Sequence, residues 1–320
     1  MPKSLYPEIE PFAHGLLDVG DDNQIYWEAS GNPDGIAAVG LHGGPGSGSS
    51  AGMRRFFDPQ KYRIILFDQR GAGRSTPSAA DFGTDMTVNT TAHLLGDLEQ
   101  LRRHLDIDRW LMLGHSWGTT LALAYAEQHR EQVAALVLIG VTTTRRSEIG
   151  WLYRDMAPLF PEQWARFKAG VPVDRRDGDL VAAYYDLLNA PDPAIRAKAA
   201  TDWHAWDNVS ASQPLNAAPI SPAEEKRRLA RARIVTHYFQ HHGWLEDGIL
   251  LREAGKLAGI PGVMVQGRLD LEAPLATAWE LAQAWPDGEL VIVPNAGHSS
   301  GEAGMAEAIV AATDRLARQP

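Results

Sequence analysis

The sequence predicts an α/β fold, a mostly parallel sheet flanked by helices, with a helical unit inserted part-way along the chain. Three observations carry that expectation. Short apolar runs bounded by turn residues alternate with longer segments of helical period over roughly the first 140 positions, the strand signal stops between 142 and 259, and it returns afterwards. The implied organisation is a core formed by residues 1–141 and completed by 260–320, with the helical insertion 142–259 between the two parts. A length of 320 residues fits this division, since roughly 150 residues per domain gives about two units.

Taken in order, 36–41, 63–67, 110–113 and 134–139 read as strands buried on both faces, because Val, Ile and Leu dominate them without polar alternation. Helices fall between them. Segment 89–105 spaces Leu94, Leu95, Leu98, Leu101 and Leu105 three and four apart with charges on the opposite face, and 119–129 reads similarly. From 142 to 259 Trp and Arg become frequent and Pro interrupts at 158, 161, 172, 191, 193, 214, 219 and 222, which suits short helices. The mixed-sign stretch 224–233 reads there as a solvated helix face. Strands return at 262–266 and 289–293, with helices over 275–285 and 303–316.

Composition narrows the function. With 44% hydrophobic and 22% charged residues the chain has the make-up of a globular protein with a sizeable core. Thirty basic against forty acidic residues leave a formal charge of −10, a field that repels phosphate backbones and anionic lipid, so neither nucleic acid nor a membrane is an expected partner. No run approaches the ~18 apolar residues of a membrane span, and the opening Met1-Pro2-Lys3-Ser4-Leu5-Tyr6-Pro7-Glu8 lacks the apolar core of a secretory leader, so a cytoplasmic location is expected. The absence of cysteine removes disulfides, thiolate metal sites and any cysteine nucleophile.

The chemistry centres on Gly114-His115-Ser116-Trp117-Gly118, which follows one predicted strand and opens a predicted helix. That is the context of a nucleophile elbow. The sharp turn strains the serine backbone, the flanking glycines admit close neighbours, and the helix N-terminus favours negative charge, so the Trp117 N–H is a candidate oxyanion donor. A second donor is expected from His42-Gly43-Gly44-Pro45-Gly46, after the strand ending at Leu41; Gly44 N–H is preferred, with Gly43 beside it. A serine hydroxyl needs a general base and the base an orienting carboxylate. In the chain order Ser, acid, His, the strand ends at 266 and 293 offer Asp270 and His298, with Glu272 a rival acid two residues on. Asp68, ahead of the serine, reads as a cap for its glycine-rich turn. His237, His241 and His242 lack an accompanying carboxylate frame, so neither metal nor other cofactor is expected.

Together, His42 to Gly46, Asp68-Gln69-Arg70-Gly71-Ala72-Gly73-Arg74-Ser75 and the elbow resemble the prolyl aminopeptidases (proline iminopeptidases), serine peptidases of the α/β-hydrolase fold. The likeness continues through Ala278-Trp279-Glu280-Leu281, Ala284-Trp285-Pro286 and Ala296-Gly297-His298-Ser299 and weakens mainly in the insertion. It implies that the insertion is a helical cap, that the triad is Ser116, Asp270 and His298, and that the substrates are peptides or amides with an N-terminal proline or another small residue. It also implies two carboxylates for the substrate's amine. The first stands where this chain has Asp207, after the Trp-rich segment containing Trp203 and Trp206, which would wall the pyrrolidine pocket with Trp117. The second falls on Val235, which is apolar; Glu272 is the candidate replacement. The departure at Val235 keeps a second expectation open, an esterase or amidase for neutral or N-acylated compounds. Oligomeric state is not legible.

Overall fold

The computed structural model describes residues 5–210 and 220–318. Eight strands form one sheet in the order β1-β2-β4-β3-β5-β6-β7-β8: β1 (Pro11–Gly20), β2 (Asn23–Gly31), β3 (Ile36–Leu41), β4 (Tyr62–Phe67), β5 (Trp110–His115), β6 (Val133–Ile139), β7 (Gly262–Gly267) and β8 (Gly288–Val293). From β4 to β8 all neighbours are parallel, whereas β1 and β2 join antiparallel at one edge. The six strands expected from sequence are present. The edge hairpin was not anticipated. Its first strand leaves Phe12 and Leu16 about half exposed, so apolar residues sit on the outward face and blur the alternation that marks a strand. Its two-residue turn is Asp21-Asp22, both at positive φ (54° and 56°), the geometry that matches the twist of a tight hairpin.

Successive strand residues alternate between two apolar layers. Val39, Ile65, Met112 and Leu138 face α1 (Thr91–His104) and α2 (Trp117–Gln128), while Ala38, Ile64, Leu111 and Val137 face the C-terminal helix. Helix α1 buries Leu94, Leu95, Leu98 and Leu101, as its spacing predicts. Between β6 and β7 run α3 (Arg146–Gly150), α4 (Pro161–Ala169), α5 (Leu180–Leu188), α6 (Pro193–Ser210), α7 (Pro222–Gln240) and α8 (Ile249–Arg252), and among the described residues this stretch contains no strand. The core is completed by α9 (Leu275–Ala284) and α10 (Met305–Leu316), the latter covering the second layer. Among the described residues no helix is long and apolar enough to cross a membrane.

The expectation of a solvated face over 224–233 needs correction. Residues 225–227 are exposed, but Arg233 is buried and donates from Nη1 to Ala79 O and Asp81 O and from Nη2 to Asn189 Oδ1. A 19-residue helix travels nearly 30 Å, so α7 begins in solvent and ends beneath its neighbours. Charge alternation alone does not register that passage.

The loop after β4 is anchored by a buried ion pair. Arg70 donates from Nε and Nη2 to the two carboxylate oxygens of Asp97 on α1, both at 2.8 Å, with Asp97 fully buried. Removing Asp97 leaves the buried Arg70 guanidinium with only the half-exposed Asp21, 3.0 Å from its Nη1, which puts the cost at the lower end of that of breaking a buried pair, about 3 kcal/mol. Asp97→Ala should therefore lose about that much unfolding free energy in urea titration, whereas a loss within ~0.5 kcal/mol would be the signature of an ordinary surface pair.

Candidate active site

At the end of β5 the chain turns sharply into α2, and Ser116 occupies the turn at φ 55°, ψ −123°, a region that a non-glycine residue enters only when its surroundings hold it there. The surroundings are visible. A Cβ on Gly118 would stand 2.1 Å from Leu41 O, and one on Gly114 would stand 2.4 Å from Gly118 O. Only glycines allow β3, β5 and the start of α2 to approach this closely. As a result the loop following β3 lies against the serine, with Gly43 and Gly44 lining a cavity that also contains Ser116.

That loop is held from behind. His42 is buried; its Nε2 accepts from Gln69 N–H at 3.0 Å, which leaves the ring proton on Nδ1, 3.0 Å from Gly43 O. The Gln69 side chain accepts from Trp117 Nε1 at 3.0 Å. Asp68 accepts from Ser49 N and Arg74 N at 2.7 and 2.8 Å, the capping role its turn suggests.

On the opposite wall, His298 Nδ1 lies 2.8 Å from Asp270 Oδ2. Asp270 is fixed further by Gln266 Nε2 at 3.0 Å and by the backbone N–H groups of Glu272 and Ala273 at 2.9 and 2.8 Å. Gln266 is itself buried, donating to Ala273 O and accepting from Val141 N–H. The two candidate acids thus separate: Asp270 holds Nδ1, while Glu272 Oε2 stands 3.5 Å from Nε2. Ser116 and His298 line the same cavity, but among the described residues no hydrogen bond joins the Ser116 hydroxyl to the ring. Burial alone would depress the His298 pKa; Glu272, Asp270 and the more distant Glu302 overrule it and raise it to about 9. His115, whose ring centroid lies 5.0 Å from that of His298, is pushed down to about 4 by burial and by the neighbouring ring's charge.

A cavity opens to solvent at Ser116. Gly44, Ser116 and Trp117 form its floor, and Tyr153, Asp207, Arg231, Val235 and Phe239 come from the helical stretch between β6 and β7. Asp207 therefore reaches the cavity, yet it arrives already paired: Arg231 Nη2 lies 3.2 Å from its Oδ2 and Tyr153 Oη donates to its Oδ1 at 3.2 Å. Burial raises its pKa to about 6 against the pull of Arg231. Sequence reasoning missed Arg231 and Tyr153. The available signal for Arg231 was its place one turn before Val235 on one helix, obscured by neighbouring charges.

Trp203 and Trp206 require correction as pocket walls. Both are buried in an aromatic cluster: Trp203 stacks on Tyr153 at 4.6 Å, and Trp206 stacks on Phe167 at 5.5 Å and donates from Nε1 to Leu152 O. Neither lines the cavity. Their indoles support the side chains that do. His237 and His241 have local partners, His237 Nε2 lying 3.1 Å from Asn89 O and His241 stacking on Trp244.

A strained serine at a strand-to-helix turn, over a parallel sheet and opposite a carboxylate-bound histidine, is the architecture of an α/β hydrolase. The family model of the alpha/beta hydrolase fold matches residues 39–303, and the chain belongs to that family. Within it the chain is a hydrolase of the proline iminopeptidase group. It is 52% identical to a probable proline iminopeptidase of Streptomyces coelicolor, over 98% of each chain, and 44% identical to a proline iminopeptidase of Arabidopsis thaliana, over 98% of this chain and 82% of that one. The crystal structure of a Mycobacterium smegmatis proline iminopeptidase shares the fold at TM-score 0.62 and 17% identity, covering 95% of this chain and 97% of that one.

The His298 environment also makes stability depend on pH. A folded pKa of about 9 against an unfolded 6.5 contributes stability that is complete below 6.5 and lost as pH rises through about 9. The contribution is about 3 kcal/mol. Urea unfolding at pH 6 and pH 9.5 should show His298→Asn losing less stability over that interval than the parent chain; equal losses would contradict the elevated value.

Proposed function

We propose that this chain removes an N-terminal proline, or another small residue, from peptides and arylamides through an acyl-enzyme formed on Ser116. The observation that carries the reading is the strained Ser116 opening onto a cavity it shares with the Asp270-bound His298. The names of the similar proteins support the substrate class.

In this reading His298 Nε2 takes the Ser116 hydroxyl proton as Oγ attacks the substrate carbonyl, and the displaced electron pair settles on the carbonyl oxygen. The N–H groups of Gly44 and Trp117 receive that oxyanion, the latter at the start of α2, where first-turn donors have no intrahelical partners. Asp270 stabilises the imidazolium, which then protonates the leaving amine; water releases the acyl group by the same route. Residues 142–259 act as a cap whose Val235 and Phe239 give the pocket an apolar side suited to a pyrrolidine ring. No step requires a cofactor.

The Arg231–Asp207 pair favours a second reading, an esterase or amidase for neutral or N-acylated compounds, because it answers a carboxylate that would otherwise attract an amine. Two measurements separate the readings. Ser116→Ala should lower turnover of L-proline 4-nitroanilide by more than about 1,000-fold, and near-full activity in that variant would remove the serine from the mechanism. The parent chain should prefer the free prolyl anilide over its N-acetyl form by at least about tenfold, the equivalent of one charged hydrogen bond; the opposite preference would establish the second reading.

A further inference from the structure

Four of the charged or chargeable side chains that line the cavities at the reacting serine fall into two pairs. Asp207 faces Arg231, and Glu272 faces His298. In the first pair the Asp207 side chain is 11% exposed, and both its oxygens have partners. The second is looser. Glu272 is 23% exposed, it lines the cavity beside Ser116, and its Oε2 sits 3.5 Å from the ring nitrogen that would have to accept the serine proton. A protonated Nε2 facing a carboxylate is electrostatically satisfied and cannot serve as a base. Val235 supplies no charge nearby.

From this geometry we propose that Glu272 binds the positively charged N-terminal nitrogen of the substrate, and that this cation, by taking Glu272 from His298, frees Nε2 to accept the Ser116 proton. The inference rests on the aminopeptidase reading and assigns it a carboxylate. When the substrate cation enters, two positive charges compete for one carboxylate. The Nε2 proton leaves to bulk water, a substrate N–H replaces it on Glu272, and the bared Nε2 lone pair takes the proton from Ser116 Oγ as the Oγ–carbon bond forms. A neutral or N-acylated substrate offers no such exchange and meets a histidine still protonated. Selection for a free amine then appears in the chemical step as well as in binding.

The remaining groups around His298 leave this exchange intact. Asp270 holds Nδ1 and is fixed by three other donors. Glu302, at the approach to α10, raises the ring pKa from farther off. His115 and His204, both lowered to about 4, stay neutral, and Arg231 is engaged by Asp207.

The test compares kcat/KM against pH for L-proline 4-nitroanilide and 4-nitrophenyl acetate, in the parent chain and in Glu272→Gln. On the ester, the parent should show an acid limb near pH 9, leaving about one-hundredth of its plateau rate at pH 7. Glu272→Gln should move that limb toward neutrality and raise the ester rate at pH 7 at least about tenfold. The same variant should lose about 10–150-fold on the prolyl anilide. In Ser116→Ala, proton NMR of the His298 ring should show L-prolinamide lowering its pKa, N-acetyl-L-prolinamide leaving it in place, and Ser116→Ala/Glu272→Gln failing to respond. Ester profiles with the same acid limb in the parent and Glu272→Gln, or a ring pKa indifferent to L-prolinamide, would overturn the inference while leaving prolyl hydrolysis standing. A parent chain that cleaves the ester but no prolyl anilide would remove the aminopeptidase reading and this ligand together.

Discussion

The close approach of the start of α2 to the end of β3 is the constraint on which the site depends. With Gly118 against Leu41 O, no side chain larger than hydrogen fits, and the turn carrying Ser116 is pressed into a left-handed backbone. The same approach brings Gly43 and Gly44 alongside the serine. The candidate nucleophile and candidate amide donors are thus located by one steric contact, and the strain at Ser116 is carried by strands buried on both faces, whose collapse would expose far more apolar surface than relaxing one residue could recover. The Asp68, Gln69 and Arg70 side chains complete the brace, linking the loop after β4 to the 42–49 loop, to Trp117 and to α1.

The opposite wall is built on different physics. Asp270 and His298 come from loops, so precision there comes from hydrogen bonds: Gln266 reaches Asp270 from within β7, and two consecutive backbone N–H groups fix its other oxygen. A loop held by several buried polar contacts can be as exact as a strand, provided every group is satisfied. Glu272 shares this loop. Its backbone serves Asp270 while its side chain addresses Nε2, so one short turn determines both protons of the imidazole.

Most of this arrangement is legible in the sequence, for reasons that differ by element. The buried parallel strands announce themselves because both faces are apolar, and the elbow because a strained turn demands glycines at fixed spacing. Asp270 and His298 follow from their places after strand ends. The antiparallel edge is not legible, since Phe12 and Leu16 point outward and spoil the period. The helical stretch is legible only in kind: Trp203 and Trp206 announce a large apolar mass, but local spacing cannot say whether an indole faces a cavity or a core, and here they stack against Tyr153 and Phe167. Arg231 is hidden for a similar reason. Its partner Asp207 is 24 positions away on another helix, and pairing between helices leaves no mark in either local pattern.

Arg231, Val235 and Glu272 bear on one property of the cavity, the charge it presents to an incoming amine. Resemblance to the proline iminopeptidases implies two carboxylates facing a substrate cation. Here the position at Val235 is apolar, and the carboxylate at Asp207 is answered by the Arg231 guanidinium, one turn before Val235 on α7. On that count alone the cavity would offer an incoming amine no uncompensated negative charge, and burying an unpaired cation costs several kcal/mol. In the proposed assignment Glu272 would supply a single negative charge, on the far wall beside the imidazole. A carboxylate on the turn that carries Asp270, rather than on the helices between β6 and β7, would couple amine recognition to the protonation state of His298, because a carboxylate close to a titratable ring cannot change partners without changing that ring's affinity for protons. A cap-borne carboxylate could bind the amine equally well and leave the base unaffected. In the proposal, that placement is what would turn a binding contact into a condition on the chemical step.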